Sequence, residues 1–176
     1  MLRLIMPLIQ MDHKSFLWIV NFAHALNITN LARMISRLGD GYLYGLLGIL
    51  IFWLDSVNGN SFFYSALLAF GIELPLYLLL KNSIRRPRPK ESIIGFKPVH
   101  KPSDQFSFPS GHTAAAFLFA TVLSYHYPGL MGAAFIIAGM IGLSRVLLGV
   151  HYPSDIAAGI LLGCGSAFWA LFQIQA

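Results

Sequence analysis

The sequence predicts an all-α fold, a polytopic bundle of about six transmembrane helices that forms a single membrane-embedded domain over residues 1–176. Two observations predict it. The chain is 56% hydrophobic and only 11% charged, whereas an ordinary soluble domain is about 25% charged. The apolar residues also lie in runs of a length that can cross a bilayer, which takes about 20 residues. Most of the surface is therefore expected to face lipid.

For the N-terminal residues the sequence gives the least definite prediction of how the chain lies relative to the membrane. Residues 1–14 are expected to lie at the membrane interface, because Pro7 breaks any long helix. Residues 15–31 are apolar but contain polar Asn and His side chains, so they either span the membrane or lie in its surface. Residues 32–40 are interpreted as a polar connector with two arginines, Arg33 and Arg37.

The next two segments are expected to cross the membrane. Residues 41–54 are clearly hydrophobic and are closed by turn residues. Residues 61–80 form a third segment, which contains Glu73 and Pro75. A carboxyl group at that depth is costly, so it should face other helices and be paired or protonated. A structural hydrogen bond near a proline kink is the favoured interpretation of Glu73.

Three further apolar segments follow a long polar connection, residues 81–108, and they cover residues 109–127, 130–148 and 155–173. A loop as long as this connection is usually functional or mobile. In the last segment Gly159 and Gly163 form a GxxxG pattern, which favours close helix packing in lipid.

The net charge of +5 is concentrated in the polar connection, where seven of the twelve Lys and Arg residues lie between Lys81 and Lys101. Such a cluster attracts phosphate groups on lipids, nucleotides or nucleic acids, and nothing else in the chain indicates nucleic acid. The single cysteine, Cys164, lies in an apolar run and is interpreted as a small core residue.

The stretch SRVLLGVHYPSD, residues 144–155, holds three residue types that suit phosphate chemistry. Arg145 can grip a phosphate with a planar fork of donors. His151 can be a nucleophile or a proton carrier. Asp155 can fix the tautomer of that histidine and is expected to raise its pKa. The alternative is a structural histidine at a helix end with an accidental neighbour.

Continuous helical spacing would not bring Arg145 and His151 together, because six residues make about one and two-thirds turns. Gly149 and Pro153 allow the chain to leave the helix. We therefore expect a helix that ends near Leu148, a tight turn that carries His151, and a new helix that starts at residue 154 or 155.

The stretch KNSIRRPRP, residues 81–89, supplies two more cations, Lys81 and Arg88, which can point at one anion if the chain turns between them. The alternative for a basic run is binding of anionic lipid headgroups, worth about 1 kcal/mol per charge. That alternative is expected for the remaining basic residues of this stretch, Arg85, Arg86 and Lys90.

The stretch FPSGHT, residues 108–113, starts the fourth segment. Gly111 lets backbone N–H groups approach an oxyanion, and the helix start adds the positive end of its dipole. Ser110 can donate a hydroxyl hydrogen bond to the same anion, and His112 can act as a general acid on the leaving oxygen. A Ser that only caps the helix is the alternative.

The alternation of spans brings these three groups to one membrane face, because the third segment ends there and the fourth starts there, as do the fifth and the sixth. In the combined site Lys81, Arg88 and Arg145 would clamp the phosphate oxygens, as a positioning and charge-neutralising device. His151 would attack phosphorus and form a phosphohistidine, oriented by Asp155. His112 would protonate the leaving group and then activate water. Three cations and a helix terminus could do this without a metal, so no cofactor is expected.

The chain resembles the type 2 phosphatidic acid phosphatase family over about residues 40–175. The pattern K-x6-R-P is met by Lys81, Arg88 and Pro89, the pattern P-S-G-H by residues 109–112, and the pattern S-R-x5-H-x3-D by Ser144, Arg145, His151 and Asp155. The resemblance implies an α-helical bundle, metal-free phosphatase chemistry through phosphohistidine, and the roles given above. At the site the chain is also similar to the vanadium-dependent haloperoxidases.

The resemblance implies a lipid phosphate substrate in a bacterial inner membrane, with the site on the outer, periplasmic face. The positive-inside rule, applied to the segment from Lys81 to Lys101, points to the opposite orientation. Undecaprenyl diphosphate is favoured over phosphatidylglycerol phosphate, phosphatidate and lipid A phosphate. An alternative from another class is a protein that binds or transports lipid headgroups without hydrolysis, which would leave His112, His151 and Asp155 unexplained.

Overall fold

The computed structural model describes residues 2–99 and 104–175, with side chains described from residue 9 to residue 99 and from residue 104 to residue 174. The regular structure in these ranges is helical. The α-helices are α1 (Leu2–Ala25), α2 (Thr29–Arg37), α3 (Gly41–Leu54), α4 (Gly59–Ile84), α5 (Pro89–Ser92), α6 (Gly111–His126), α7 (Met131–Leu147) and α8 (Pro153–Gln175), and a short 3-10 turn, Pro128–Leu130, precedes α7.

Helix α6 lies at the centre of the bundle, packed against α4, α7 and α8. Helices α6 and α8 lie close together because two glycines of α8, Gly159 and Gly163, face α6. A Cβ atom on Gly163 would lie 2.2 Å from the carbonyl oxygen of Ala114, and one on Gly159 would lie 2.7 Å from that of Ser110. The GxxxG pattern therefore packs two backbones together, as the sequence predicts.

The predicted segments from residue 41 onwards agree with the structure. Helix α3 has the predicted bounds, α4 contains the predicted third segment, and α6, α7 and α8 each start and end within two residues of their predicted bounds. Pro75 lies inside α4, which continues on both sides of it.

The predicted bounds of the helices before residue 41 are wrong. Pro7 does not break a helix, because α1 runs continuously from Leu2 to Ala25. Residues 15–31 are not one segment, since the chain turns after Ala25 and Asn27 adopts a left-handed conformation at φ 55°. Most of the polar connector at residues 32–40 belongs to α2.

Three helical stretches are long and apolar enough to cross a membrane, Gly59–Ser92, Pro128–Leu147 and Pro153–Ile174. Helices α2 and α3 would add a fourth span if they cross together, bent by 48°. Helix α6 has 16 residues, fewer than the roughly 20 that a span perpendicular to the bilayer needs. The described helices thus support three or four spans, not clearly the predicted six.

The reversal between α7 and α8 has the predicted form. Helix α7 ends at Leu147, and α8 starts at Pro153. Gly149 makes the turn at φ +74°, which a side chain rarely adopts, and a Cβ atom there would also lie 2.6 Å from the Phe96 ring. His151 therefore lies in a tight turn between two helices.

Candidate active site

Backbone contacts bring the three predicted stretches together at one end of the bundle. Nη1 of Arg88 donates to the carbonyl oxygen of Val150 at 2.7 Å, next to His151. The amide of Ser110 donates to the carbonyl oxygen of Asp155 at 3.1 Å. These contacts join residues 45 or more positions apart in the chain, so the three stretches share one site, as the sequence predicts.

His151 and Asp155 form the core of this site. His151 is 2% exposed and Asp155 is fully buried. Nδ1 of His151 lies 3.6 Å from Oδ2 of Asp155, an ion-pair distance that is longer than a hydrogen bond. The same Oδ2 accepts the amide hydrogen of Tyr152 at 2.9 Å, which fixes the carboxylate over the turn.

The pKa of His151 moves opposite to the sequence-based expectation. Burial lowers it from 6.5 to about 4, and this effect outweighs the contact with Asp155, which acts to raise it. The charge of Arg145 acts in the same direction as burial. The imidazole is therefore neutral near pH 7, which is the form that a nucleophile needs.

Arg86 has a different role from the headgroup binding that the sequence suggests. Its Nη1 donates to Oδ1 of Asp155 at 2.7 Å, and its Nη2 donates to Oδ2 of Asp12 at 2.6 Å. Its guanidinium also lies 4.2 Å from the ring centre of Tyr152. Arg86 is thus tied to protein groups and holds the carboxylate that faces His151.

Asp12 anchors helix α1 to this part of the site. Its Oδ1 accepts the amide hydrogen of Ser154 at 3.0 Å, and its Oδ2 accepts the Ser154 hydroxyl at 2.6 Å. The sequence placed residues 1–14 at the interface and gave no signal for this contact, because Asp12 is 142 residues away from Ser154.

The three predicted phosphate-binding cations, Lys81, Arg88 and Arg145, are all buried. Lys81 donates to Tyr77 at 2.5 Å and to a carboxylate oxygen of Asp104, and Arg88 donates to the other oxygen of that carboxylate. Asp104 therefore bridges two members of the clamp.

The pKa of Asp104 reflects this contact. Burial acts to raise it, but the hydrogen bond from Lys81 and the charge of Arg88 together hold it at about 2. Sequence reasoning missed Asp104, whose only signal is an acidic residue five positions before the PSGH stretch in a basic loop.

Arg145 reaches the site from the last turn of α7. Its Nη1 donates to Oγ of Ser36 at 2.5 Å, which links α7 to α2. Its Nε is buried and has no hydrogen-bond partner among the described residues. A buried donor without a partner costs about 1–3 kcal/mol, so an acceptor at this nitrogen would be favourable.

Ser110 and Gly111 start helix α6 as predicted. Ser110 occupies the N-cap position without a side-chain cap bond, and its Oγ instead accepts the Thr113 hydroxyl at 2.9 Å. A Cβ atom on Gly111 would lie 3.1 Å from the Tyr77 ring. The absence of a side chain at Gly111 thus lets α4 approach the start of α6.

His112 is paired with an acid that the sequence did not reveal. Its Nε2 lies 3.1 Å from Oδ1 of Asp40, the residue that precedes α3. Gly39 packs on the same imidazole, since a Cβ atom there would lie 3.0 Å from Cδ2 of His112. The α2–α3 junction therefore positions His112, although the sequence showed it only as a polar connector.

Two cavities meet at Asp40 and His112. One has a volume of about 230 Å³ and is mainly polar, lined by Arg33, Ser36, Arg37, Asp40, His112, Arg145 and Leu148. The other, of about 680 Å³, is mainly apolar and lies between α3, α4 and α6, lined by Gly39, Asp40, Gly41, Tyr42, Gly45, Phe70, Glu73, Leu74, Tyr77, Gly111, His112 and Ala115. The arrangement can hold a polar head beside His112 and an apolar chain next to it.

Glu73 lines the apolar cavity and is 3% exposed. Within residues 9–99 and 104–174 it makes no hydrogen bond or ion pair. The structural hydrogen bond expected from the sequence is therefore not found among the described side chains. The same residues contain no group of three or more His, Cys, Asp or Glu side chains that could hold a metal ion.

Comparison with curated proteins finds relatives named as phosphatases. The chain is 42% identical over 90 residues to the decaprenylphosphoryl-5-phosphoribose phosphatase of Mycobacterium tuberculosis, an alignment that covers 49% of this chain and 46% of the relative. The chain thus spans about half the length of this curated relative.

Comparison with solved structures covers nearly the whole chain. LpxE of Aquifex aeolicus superposes with a TM-score of 0.80 at 31% identity, over 90% of this chain and 93% of that protein. The transmembrane PAP2 type phosphatidylglycerolphosphate phosphatase of Bacillus subtilis superposes with a TM-score of 0.77 at 28% identity, over 96% and 87%.

A family model matches as well. The model of the PAP2 superfamily matches residues 60–176, which include all three stretches that converge on His151. Together with the superposed folds, this match shows that the chain belongs to the PAP2 superfamily.

Proposed function

We propose that this protein is a membrane-embedded phosphatase that hydrolyses a lipid phosphate or diphosphate through a phosphohistidine at His151. One observation carries the proposal. A buried imidazole faces a buried carboxylate at 3.6 Å, at the place where the three motif-bearing stretches and their cations meet. A headgroup-binding protein would need the cations but not this pair.

In the first step Lys81, Arg88 and Arg145 bind the nonbridging oxygens of the phosphate. The unpartnered Nε of Arg145 gains an acceptor in this complex. The cations and the N-terminus of α6 neutralise charge that develops in the transition state, which is the main requirement of phosphoryl transfer.

His151 then attacks phosphorus, so that an N–P bond forms and the bond from phosphorus to the lipid oxygen breaks. His112 donates a proton to this departing oxygen. As His151 becomes cationic, Asp155 stabilises it, and we expect their separation to shorten from 3.6 Å to a hydrogen bond.

In the second step a water molecule replaces the lipid. His112, now neutral, takes a proton from the water, whose oxygen attacks phosphorus while the N–P bond breaks. Inorganic phosphate leaves, and His151 returns to its neutral form. No proton or electron has to come from another reactant.

The substrate is proposed to be a lipid because the apolar cavity between α3, α4 and α6 adjoins His112. The names of the relatives indicate a phosphoribose-bearing polyprenyl lipid and phosphatidylglycerolphosphate as substrates of those proteins. Undecaprenyl diphosphate, phosphatidylglycerol phosphate, phosphatidate and lipid A phosphate are the candidates for this chain.

The proposed location is the bacterial inner membrane, with the site on the periplasmic face. The spans of a six-span arrangement would be α1, the bent pair α2–α3, α4, α6, α7 and α8. Membrane lipids are the proposed partners, and nucleic acid is not one of them.

The test is phosphate release from a panel of these lipids in detergent, with EDTA present. The wild-type protein should release phosphate, and His151→Ala should lose at least about a thousandfold in turnover while it keeps its thermal melt. Reactions with a lipid ³²P-labelled in the transferred phosphate, quenched in alkaline detergent, should show a phosphoenzyme that is stable to base and labile to acid in the wild type only. Substrate binding without phosphate release would instead favour a headgroup-binding or transport protein.

A further inference from the structure

The polar cavity beside His112 carries more positive charge than the phosphate clamp requires. Three arginines, Arg33, Arg37 and Arg145, line it, and the only acidic residue in its lining is Asp40. Its volume of about 230 Å³ could hold several water molecules, each of which occupies about 30 Å³ in the liquid. Only Arg145 belongs to the clamp, so two cations are available for another anion.

Arg33 and Arg37 have no anionic partner in the parts of the chain that the structure describes. Nη1 of Arg33 donates to the neutral side chain of Asn30 at 3.1 Å, and no carboxylate pairs with either arginine. The two arginines lie four residues apart on α2, about 6 Å along the helix axis, where like charges repel by a few tenths of a kcal/mol. An anion bound between them would attract both guanidinium groups and offset that repulsion.

Helix α2 is fixed against the site, so the two arginines are not on an independent surface. Ser36 lies between them in sequence, is 5% exposed, and accepts a hydrogen bond from Arg145. The junction after α2 packs Gly39 against His112. The backbone positions of both arginines are therefore fixed relative to the groups that act on the phosphate.

The cavity lies on the leaving-group side of the reaction. His112 lines it and, in the proposed mechanism, protonates the oxygen that departs. The polar part of the substrate next to that oxygen enters the space between His112 and α2, and the apolar chain continues into the neighbouring cavity between α3, α4 and α6.

We infer that Arg33 and Arg37 form a second anion subsite, which binds a second phosphate group of the lipid substrate on the leaving-group side of the scissile phosphate. This inference rests on the proposed function and narrows its substrate class. Lipid diphosphates fit it, as do lipids that link a phosphomonoester to a phosphodiester through a short polyol. A lipid with one phosphate leaves the subsite empty.

The experiment compares phosphatidylglycerol phosphate, which carries two phosphates, with phosphatidate, which carries one, at matched acyl chains in the same detergent micelles. In the double variant Arg33→Gln, Arg37→Gln, the ratio of kcat/KM for the first substrate over the second should fall at least tenfold. Arg85→Gln removes an exposed arginine whose Nε donates to the backbone of Asn82, and it should leave the ratio as in the wild type.

Competitive inhibition gives a second readout that needs no lipid. Inorganic pyrophosphate should inhibit the wild type at a lower concentration than orthophosphate, and the double variant should lose this difference. Thermal melts in detergent check folding. If the double variant fails to fold, Arg37→Gln alone carries both tests, because Arg37 is exposed.

The outcomes separate the inference from the proposed function. An equal fall for both lipids overturns the inference and leaves the phosphatase function standing, with the arginines acting as anchors to anionic headgroups. A wild type that prefers phosphatidate also overturns it. Hydrolysis of neither lipid, nor of the other candidate lipids, overturns the proposed function and the inference with it.

Discussion

Arg86 donates a hydrogen bond of 2.7 Å to Oδ1 of Asp155, while Oδ2 of the same carboxylate faces the imidazole of His151. The carboxylate is therefore shared between a permanent cation and a histidine that, in the proposed mechanism, becomes cationic only during the reaction. Arg86 lowers the cost of burying Asp155 when His151 is neutral. Arg86 also forms an ion pair with a second carboxylate, that of Asp12.

We predict that Asp155→Asn lowers turnover strongly without unfolding the protein. The change keeps the size of the side chain but removes the charge that stabilises the cationic form of His151. Because Asp155 need not contact the substrate, the loss should appear in kcat more than in KM. Full activity in this variant, with an unchanged melt, would mean that the contact between Asp155 and His151 is only structural.

Arg86→Gln should reduce kcat by about 10- to 100-fold, because hydrogen bonds between charged groups contribute about 1.5–3 kcal/mol. The loss arises from a carboxylate that is no longer held in place beside His151. The matched control is Arg85→Gln, which removes the neighbouring arginine but no contact with Asp155. Equal losses in the two variants would indicate that the arginines act through membrane binding and not through Asp155.

The acid limb of the pH–rate profile should lie below pH 5. Burial holds the pKa of His151 at about 4, so its neutral, nucleophilic form persists as the pH falls through 6.5 and is lost only as the pH approaches 4. The measurement is kcat/KM between pH 4 and 8, corrected for the ionisation of the substrate phosphate. An acid limb near pH 6.5 or above would instead show that Asp155 offsets the effect of burial on the pKa of His151.

Local sequence patterns are enough to predict most of the helices and the turn that carries His151. The helices from residue 41 onwards follow from apolar run lengths and turn residues, and the turn at His151 follows from Gly149 and Pro153. These are local signals, and contacts between the helix ends then bring the three stretches together at one end of the bundle.

The missed residues act through long-range contacts. Asp12, Asp40 and Asp104 each contact a basic or histidine side chain that lies 16 or more residues away. Each looks like an ordinary polar residue at the end of a segment, so neither spacing nor periodicity reveals its partner. Arg86 was assigned to headgroups for the same reason, since a basic run does not show which of its members turns inward.

Asp104→Asn should increase the affinity for the phosphate. The Asp104 carboxylate occupies donors of Lys81 and Arg88 that, in the proposed mechanism, bind the phosphate. Removing its charge should lower KM, and the inhibition constant of orthovanadate, by about tenfold, the equivalent of 1.4 kcal/mol. The variant should also melt at a lower temperature, because the two buried cations lose their counter-charge. A raised KM would show that Asp104 positions the clamp instead of competing for it.

Gly39→Ala should impair the acid step selectively. A Cβ atom at residue 39 would lie 2.7 Å from Cγ2 of Ile141 and 3.0 Å from Cδ2 of His112, so the imidazole has to shift away from the leaving oxygen. General acid catalysis contributes about 10²- to 10⁴-fold, but only where the leaving group needs a proton. Turnover of a lipid alkyl phosphate should therefore fall much more than turnover of an activated aryl phosphate, whose phenolate departs unaided. Gly71→Ala is the control, because a Cβ atom there meets nothing within 4 Å and residue 71 lines neither cavity. Equal losses on both substrates in Gly39→Ala would place the defect in phosphate binding or in the nucleophile, and His112 would not be the acid.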